Sequence, residues 1–430
     1  MRFIYWIVLF CAVLFKPLYA LDIKQWHTEK GANVLFVQAN DLPIIDIRIS
    51  FKAGSSRDSN AFGISRLTSA LLVEGTGDLS AEDIAIKMES VGAQLGHDSL
   101  KDMAFTSLRL LSDTKNRSEI IDLFARVTAK PSFPQDAINR DRVSMITSID
   151  NRKNNIAEVT ADAFNKAIYS GHEYEVGFHG RKASLEAVTQ SDLFAFHQKY
   201  YVAKNASIAI VGDLTEQQAK ELSEKLTVYL AEGSAVKELS KPKQTKANIQ
   251  LIDFDSTQTH IIKGMPVISR KDKDFYSLYV GNHILGGSGF GSRLMTIIRE
   301  EKGLTYSVYS YFSPMESLGP FVMSMQTANH QVDEARSLLS EILNKFIDKG
   351  ANQDELSKAK KNITGSFPLK IDSNNKILSY LAVIAFYNLP LSYLDDFNKE
   401  IEKVTLESIQ DAFKRRVKLD QLVEIVVGPK

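Results

Sequence analysis

Two side chains in the second half of the chain carry hydrogen-bond donors that could stabilise a negative charge. Arg299 and Tyr306 lie seven residues apart, and Gly303 is expected to end the helix that holds the arginine, so that the tyrosine begins a strand. A guanidinium and a phenol aimed at a developing negative charge lower a reaction barrier, and one such donor is worth roughly 3 kcal/mol. From spacing alone, the simpler interpretation is that Arg299 pairs with an acid such as Glu300 and that Tyr306 is a half-buried strand aromatic.

Other kinds of chemistry find less support in the sequence. Cys11 is the only cysteine, so a chain that starts after it has no disulfide, thiol nucleophile or cysteine–zinc site. The eight histidines are scattered without metal-ligand spacing, although a cluster assembled in space stays open. The glycine-rich residues 286–291 are not followed by Gly-Lys-Ser/Thr. We therefore interpret them as a turn that lets the chain approach a neighbouring strand or a substrate, rather than as a phosphate site.

The first twenty residues have the composition of a cleavable export signal. Arg2 precedes an apolar run over residues 3–15, and Ala20 offers a small residue at the expected cut. We predict a periplasmic mature chain without a later membrane span. Removing Arg2 and Lys16 from 52 basic and 52 acidic residues leaves 50 against 52, a net charge of −2. This balance lacks the basic excess of nucleic-acid-binding proteins.

Two stretches of the chain match at a constant offset of 216 residues. The segments that start at Val188 and Val404 each predict an amphipathic helix capped by threonine, followed by a β-rich strand that ends in glycine, at Gly212 and Gly428. The alternative is a chance match between two α/β segments, but the constant offset favours two homologous domains. We predict an α+β fold in which each domain is a mostly antiparallel sheet with helices packed on one face.

The repeat sets the predicted domain boundaries. These are a signal peptide at 1–20, a first domain at 21–236, a polar, lysine-rich linker at 237–248 and a second domain at 249–430. Residues 34–51 and 249–263 are each expected to form two paired strands that open a domain. Residues 332–346 have helical apolar spacing, and Gly350 stands where a helix cap belongs.

Several segments, in this order, resemble the pitrilysin/insulinase (M16) family of zinc metallopeptidases. Residues 63–76 are similar to the frame of the helix that carries the family's His-x-x-Glu-His motif. Residues 169–180 and 186–213 resemble later parts of the family's first domain. Residues 286–291 resemble its glycine-rich turn, and residues 298–308 follow at the family's spacing. The resemblance covers nearly all of the mature chain and implies two M16/LuxS-like domains.

The zinc-motif frame of this chain lacks ligand atoms. Arg66 and Ala70 stand where the family has histidines, and Ser69 stands where it has glutamate. Zinc needs an imidazole lone pair at each histidine position, and the hydrolytic water needs a carboxylate base. The window of the third ligand, residues 145–149, has no carboxylate, and only a shift in register would bring Asp150 into play. The resemblance therefore implies no metal and no other cofactor in this chain.

In this chain the family's substrate-binding strand is altered as well, whereas an arginine and a tyrosine of the family's active site are kept. Residues 92–99 retain the glycine that enters the family's Asn-Ala-x-Thr strand but lose the asparagine. Arg299 and Tyr306 match a family pair that reaches across the cavity to the zinc site. There the arginine holds a substrate carbonyl and the tyrosine stabilises the oxyanion.

The chain lacks the metal ligands and the carboxylate base but keeps Arg299 and Tyr306. The resemblance therefore implies an active site that is shared between two chains. We expect a non-catalytic subunit of a heterodimeric periplasmic M16-type zinc peptidase. Arg299 and Tyr306 would act in trans at the zinc site of a homologous catalytic subunit, on a peptide or unfolded polypeptide. The alternatives are a catalytically inactive peptide-binding or scaffolding homologue and an enzyme with a relocated metal site.

Overall fold

The computed structural model of the protein describes residues 21–113 and 115–430. The predicted signal peptide lies outside the described residues. Within them, no helix is both long enough and apolar enough to cross a membrane.

The first half of the chain builds a six-stranded sheet and a short hairpin. Its strands are β1 (Lys24–His27), β2 (Asn33–Gln38), β3 (Ile44–Phe51), β4 (Gly75–Thr76), β5 (Leu79–Ser80), β6 (Gln94–Ser99), β7 (Ala104–Leu111) and β8 (Ala206–Gly212). The large sheet has the order β1-β2-β8-β3-β7-β6, and β4 pairs with β5. In this sheet β2 runs parallel to β8, and the other neighbours are antiparallel.

The helices of the first half are α1 (Ile64–Leu71), α2 (Ala81–Glu89), α3 (Arg117–Ala129), α4 (Gln135–Arg152), α5 (Ile156–Ile168), α6 (Lys182–Ala187), α7 (Gln190–Tyr200) and α8 (Glu216–Thr227). Most of them pack around this sheet, whereas α5 packs on the sheet of the second half. Ser80, Thr189 and Thr215 cap α2, α7 and α8. Each cap side chain accepts a hydrogen bond from a backbone N–H of the first turn, and the side chain three residues later accepts one from the backbone N–H of the cap residue, which fixes where the helix begins. The predicted cap at Thr189 is thereby confirmed.

The second half forms a five-stranded sheet in the order β11-β12-β10-β13-β9. Its strands are β9 (Asn248–Asp253), β10 (Gln258–Ile268), β11 (Val308–Phe312), β12 (Gly319–Ala328) and β13 (Val423–Gly428). Its helices are α9 (Phe275–Asn282), α10 (Val332–Lys349), α11 (Gln353–Ser366), α12 (Asn374–Tyr387), α13 (Tyr393–Lys403) and α14 (Leu406–Arg416). The predicted helix over residues 332–346 is α10, and Gly350 ends it with φ +71°.

The two sheets repeat one topology, which confirms the predicted duplication. β8 lies between β2 and β3, and β13 lies in the same way between β9 and β10. The prediction that each half opens on two directly paired strands is therefore wrong. The last strand of each half is almost wholly buried, and it gains hydrogen bonds on both sides by taking the place between the opening strands.

One helix of each half packs on the sheet of the other half. Helix α5 packs on β10 and β13, whereas α12 packs on β8 and β3. Phe164 of α5 belongs to one apolar core with Ile425, and Leu35 of the first sheet belongs to another with Leu381 of α12. Each sheet thus carries helices of its own half on one face, as predicted, and a helix of the other half on the second face.

A buried carboxylate ties the two halves together. Asp102 accepts hydrogen bonds from the hydroxyl of Tyr174 at 2.6 Å, the hydroxyl of Tyr387 at 2.8 Å and the backbone N–H of Glu316 at 2.7 Å. Its exposed fraction is 3%. Burial, followed by the charge of Asp102, raises the pKa of both tyrosine hydroxyls, so they stay protonated donors. The Glu316 side chain pairs in turn with Arg57 at 3.1 Å.

Candidate functional site

The zinc-motif frame folds as the sequence predicts, with Gly63 entering helix α1 and residues 75–76 leaving as a strand. Gly63 has φ +103°, and an added Cβ would lie 2.9 Å from the side chain of Leu185. Asp58 accepts from the N–H groups of Gly63 at 2.6 Å and Ser65 at 3.0 Å, which holds the first turn. Burial raises the pKa of Asp58 to about 7, although these hydrogen bonds oppose the rise.

Arg66 is half-buried and bound to aromatic rings. Its guanidinium lies 3.1 Å from Nδ1 of His179 and 5.0 Å from the ring centroid of Phe178. Burial lowers the pKa of His179 to about 4, helped by the nearby charges of Arg152 and Arg66. Near neutral pH the imidazole is therefore neutral, and its Nδ1 accepts the hydrogen bond from Arg66. A permanent cation thus stands where the family has its first zinc ligand.

The other two motif positions offer no metal ligand either. Ser69 is 2% exposed, its hydroxyl has no hydrogen-bond partner among the described residues, and Ala70 has no ligand atom. Asp150, which a register shift might have recruited, lies at the far end of α4 in ion pairs with Lys153 at 2.7 Å and Lys182 at 3.0 Å. The residues present therefore do not fit a zinc ion. Across residues 21–113 and 115–430, no group of three or more histidine, cysteine or acidic side chains is arranged to hold a metal.

The strand that replaces the family's substrate-binding strand is β6, which forms one end of the first sheet. It pairs only with β7 within the sheet, so one side of its backbone stays open. His97 on this strand is partly buried, and burial lowers its pKa. Within the described residues β6 is therefore an edge strand, and it lacks the asparagine that the resemblance led us to compare.

Arg299 and Tyr306 lie next to β11, which forms the equivalent end of the second sheet. Arg299 is in a π-helical segment, Met295–Glu301, and Gly303 follows with φ +64°. The helix therefore ends as predicted, but β11 begins at Val308, so Tyr306 stands in the connection rather than on the strand. Its exposed fraction is 82%, which rules out the half-buried strand aromatic of the simpler interpretation.

The surroundings of Arg299 also differ from that interpretation. No described acidic side chain lies within ion-pair distance, and its guanidinium stacks over Phe290, 4.5 Å from the ring centroid. Phe290 is itself 66% exposed. This contact was not predicted from the sequence, although the place of Phe290 inside the glycine-rich turn was a signal.

The glycine-rich turn lets the chain approach β11 closely, as its composition predicted. A Cβ on Gly286 would lie 2.5 Å from the hydroxyl of Ser310 and 2.7 Å from its backbone nitrogen. Phe290, Tyr309 and Tyr311 are partly exposed as well, and of these rings Phe290 contacts Arg299.

The duplicated sheets and the altered motif helix indicate an M16-type fold whose motif positions, within the described residues, carry no zinc ligand. Family models match both parts of the chain: "Insulinase (Peptidase family M16)" over residues 34–179 and "Peptidase M16 inactive domain" over residues 187–363. The chain belongs to the M16 family.

Individual relatives agree with this assignment. A solved M16 inactive domain from Pseudomonas fluorescens is 38% identical, with TM-score 0.93 over 95% of this chain and 98% of that one. A Helicobacter pylori protein described as a non-peptidase homolog, YmxG, is 27% identical over 402 residues, covering 92% of each chain. A solved H. pylori protease is 20% identical with TM-score 0.87 over 95% of this chain and all of that one, which shows the shared fold.

Proposed function

We propose that this chain is the non-catalytic subunit of a heterodimeric periplasmic M16 zinc peptidase. The partner is a homologous catalytic subunit with an intact His-x-x-Glu-His motif, and it holds the zinc. This chain supplies Arg299 and Tyr306 to the partner's site, and the substrate is a peptide or an unfolded polypeptide.

The observation that carries the proposal is the exposure of Tyr306, seven residues after Arg299, which has no acidic partner in the described part of the chain. A large tyrosine that is 82% exposed contributes little to the stability of its own chain. Arg299 is positioned by stacking on Phe290 rather than by an ion pair, so its donors remain available. Together with the ligand-free positions at Arg66, Ser69 and Ala70, this favours a site completed by a second chain.

In that role the two side chains have distinct tasks. The guanidinium of Arg299 donates to a carbonyl of the bound peptide and fixes its position. The hydroxyl of Tyr306 donates to the oxygen that becomes negative when the carbonyl is attacked. Since the second interaction strengthens as charge develops, losing it lowers kcat rather than raising KM.

The test is peptide hydrolysis by this chain mixed with a homologous M16 chain that has an intact His-x-x-Glu-His motif, sought first in the neighbouring gene. We expect zinc-dependent activity only in the mixture. Tyr306→Phe should lower kcat by about 10²–10³-fold, the usual effect of removing one such donor. Tyr229→Phe, on a tyrosine of the first half whose hydroxyl donates to Asp122 at 2.7 Å, is the matched control and should leave kcat unchanged.

Two outcomes would contradict the proposal. One is zinc-dependent hydrolysis by this chain alone. The other is full activity of the mixture when Arg299→Ala and Tyr306→Phe are combined, provided that the variant still binds the partner. The location is tested separately by fractionating cells that express the full chain, because a cytoplasmic product would exclude a periplasmic complex.

A second candidate, a homologue that binds peptides without cleaving them, is favoured by the open strands at both sheet ends. β6 and β11 each pair with one neighbour within their sheet, so either edge has room for an extended peptide. Peptide binding by this chain alone, with no catalysis in any mixture, would select this candidate.

A further inference from the structure

The edge strand β9 is exposed in a way that its counterpart in the first half is not. β9 corresponds to β2, since each runs parallel to the buried last strand of its half. From these pairings, Val34 and Phe36 correspond to Ile249 and Leu251. The first two are 0% and 1% exposed, whereas Ile249 is 55% and Leu251 68% exposed. Equivalent apolar positions are thus covered in one half and open in the other.

The first half shows what kind of element covers such an edge. There β1 pairs antiparallel with β2, and Trp26 of β1 packs edge-on against Phe36 with ring centroids 6.3 Å apart. Helix α8 closes the same face. In the described part of the second half, β9 pairs with β13 alone, and a groove of 470 Å³ beside it is lined in part by Ile249, Leu343 and Leu422.

The backbone of β9 has hydrogen-bonding groups on its open side. Asn248 N–H donates to Leu422 and Phe254 N–H to Gly428, so even-numbered residues point their backbone groups at β13. Ile249, Leu251 and Asp253 therefore direct theirs outward, because the direction alternates along a strand. An open edge with exposed apolar side chains readily pairs with another strand.

We propose that a second copy of this chain docks here, with the two β9 strands antiparallel about a two-fold axis through Gln250. In this register Ile249 of one copy forms a hydrogen-bonded pair with Leu251 of the other, and both pairs extend the same apolar face. The two five-stranded sheets become one continuous sheet. A two-fold contact of this kind is self-complementary and closes after two copies.

The charges along β9 favour this antiparallel arrangement. Lys246 precedes the strand, Asp253 ends it and Asp255 follows, and all three are exposed without a described ion-pair partner. The two-fold axis places Lys246 of each copy opposite Phe254 of the other, between the two aspartates. A parallel arrangement would instead bring like charges together, which is unfavourable. β9 also lies at the opposite end of the sheet from β11, so the contact leaves Arg299 and Tyr306 accessible and does not depend on the proposed function.

A cysteine placed on the axis tests the register. In a chain carrying Cys11→Ser, Gln250→Cys should form a covalent dimer on mild oxidation. Residues opposite each other at such a position have Cα atoms about 4.5 Å apart, within the range of about 4.4–6.8 Å for a disulfide. Asn248→Cys is the matched control, because the two copies of residue 248 would lie about 14 Å apart at ~3.4 Å per residue. Cross-linking of neither variant, or of both equally, would overturn the register.

The association itself is measured by sedimentation equilibrium of the full chain. Leu251→Lys should raise the dimer dissociation constant at least about tenfold, because it brings an unpaired charge into the contact. Leu369→Lys changes an equally exposed leucine, at 66%, away from β9 and should have no effect. Lys246→Glu should weaken the dimer, and adding Asp253→Lys with Asp255→Lys should restore it. A chain that stays monomeric at all concentrations, or a dimer insensitive to Leu251→Lys with unchanged thermal unfolding, would overturn the proposal.

Discussion

Arg66 is the residue at which this chain departs most clearly from a metal site. Its guanidinium is held by the neutral ring of His179 and by Phe178, so the charge that replaces the metal ligand is fixed without a carboxylate. On the other half, Arg299 stacks in the same way on Phe290. Neither Arg66 nor Arg299 forms an ion pair with a described acidic side chain. Of the two, only Arg299 is followed closely in the chain by an exposed tyrosine, Tyr306.

The link between Arg66 and His179 predicts a measurable shift. Arg66→Ala removes one of the cations that lower the pKa of His179, so we expect that pKa to rise from about 4, although burial, the largest cause, remains. Proton NMR titration of the ring measures it. Lys87→Ala, on an exposed cation paired with Glu119, should leave the His179 titration unchanged.

The lowered pKa of His179 also predicts how the stability of the fold changes with pH. His179 has a folded pKa near 4 against an ordinary value of 6.5, so between these values the unfolded chain binds the extra proton. Its contribution therefore destabilises the fold progressively as pH falls from 6.5 towards 4. Urea unfolding should show a smaller loss over this window in Arg66→Ala than in the wild type. An equal or larger loss would contradict the assigned contact.

At the scale of elements, the exchange of α5 and α12 depends on close backbone packing. Gly264 of β10 lies under α5, and an added Cβ would meet the carbonyl oxygen of Phe321 at 1.9 Å and the ring of Phe164 at 3.0 Å. A side chain at this position would therefore push both β12 and α5 away from β10.

Two glycine substitutions separate this packing effect from the general effect of alanine. Gly264→Ala should destabilise the protein by about 1–3 kcal/mol, the usual result of overpacking. Gly365→Ala, on an open face of α11 with nothing within 4 Å of the added Cβ, should stabilise by about 0.5–1 kcal/mol. Chemical denaturation measures both. Equal effects would show that β10 relaxes around the added atom.

The sequence predicted the positions of helices, caps and strands better than it predicted which of these elements pair or pack together. The caps at Thr189 and Thr405, helix α10 with Gly350, and the last strand of each half are visible as spacing and turn residues, and all are confirmed. The insertion of β8 and β13 was missed, because pairing between strands far apart in the chain leaves no local pattern. The exchange of α5 and α12 was missed for a similar reason. An apolar helix face shows that the helix is buried, but it does not show which sheet the helix packs on. The predicted domain boundaries stay a prediction, as do the roles of Arg299 and Tyr306.

At the scale of the whole molecule, the Asp102 cluster joins a first-half carboxylate to second-half donors. Tyr387→Phe removes one hydroxyl donor to a buried charged acceptor, and we expect it to lower the free energy of unfolding by about 1.5–3 kcal/mol. Tyr306→Phe, at an exposed tyrosine, serves as the control and should leave it unchanged. Thermal unfolding followed by calorimetry measures both variants, and equal unfolding temperatures would show that the cluster adds no stability.

The reciprocal helices also predict that neither half is stable alone. Residues 21–236 expressed alone would expose the sheet face that α12 covers, including Leu35 and Val211, and should unfold without a cooperative transition. Co-expression with residues 237–430 should restore one transition. A cooperative transition of the first fragment alone would contradict this dependence.

The exchange of helices has a consequence for the order of events when the chain is made. Helix α12 lies near the C-terminus, yet it completes the sheet that begins at residue 24. The first sheet therefore keeps an apolar face uncovered until almost the whole polypeptide is available. Contacts that close over such long sequence separations form slowly and leave the nascent chain prone to aggregation. For the export that we propose, this delay would be favourable, because a first half whose sheet still lacks α12 is not fully packed when the chain crosses the membrane.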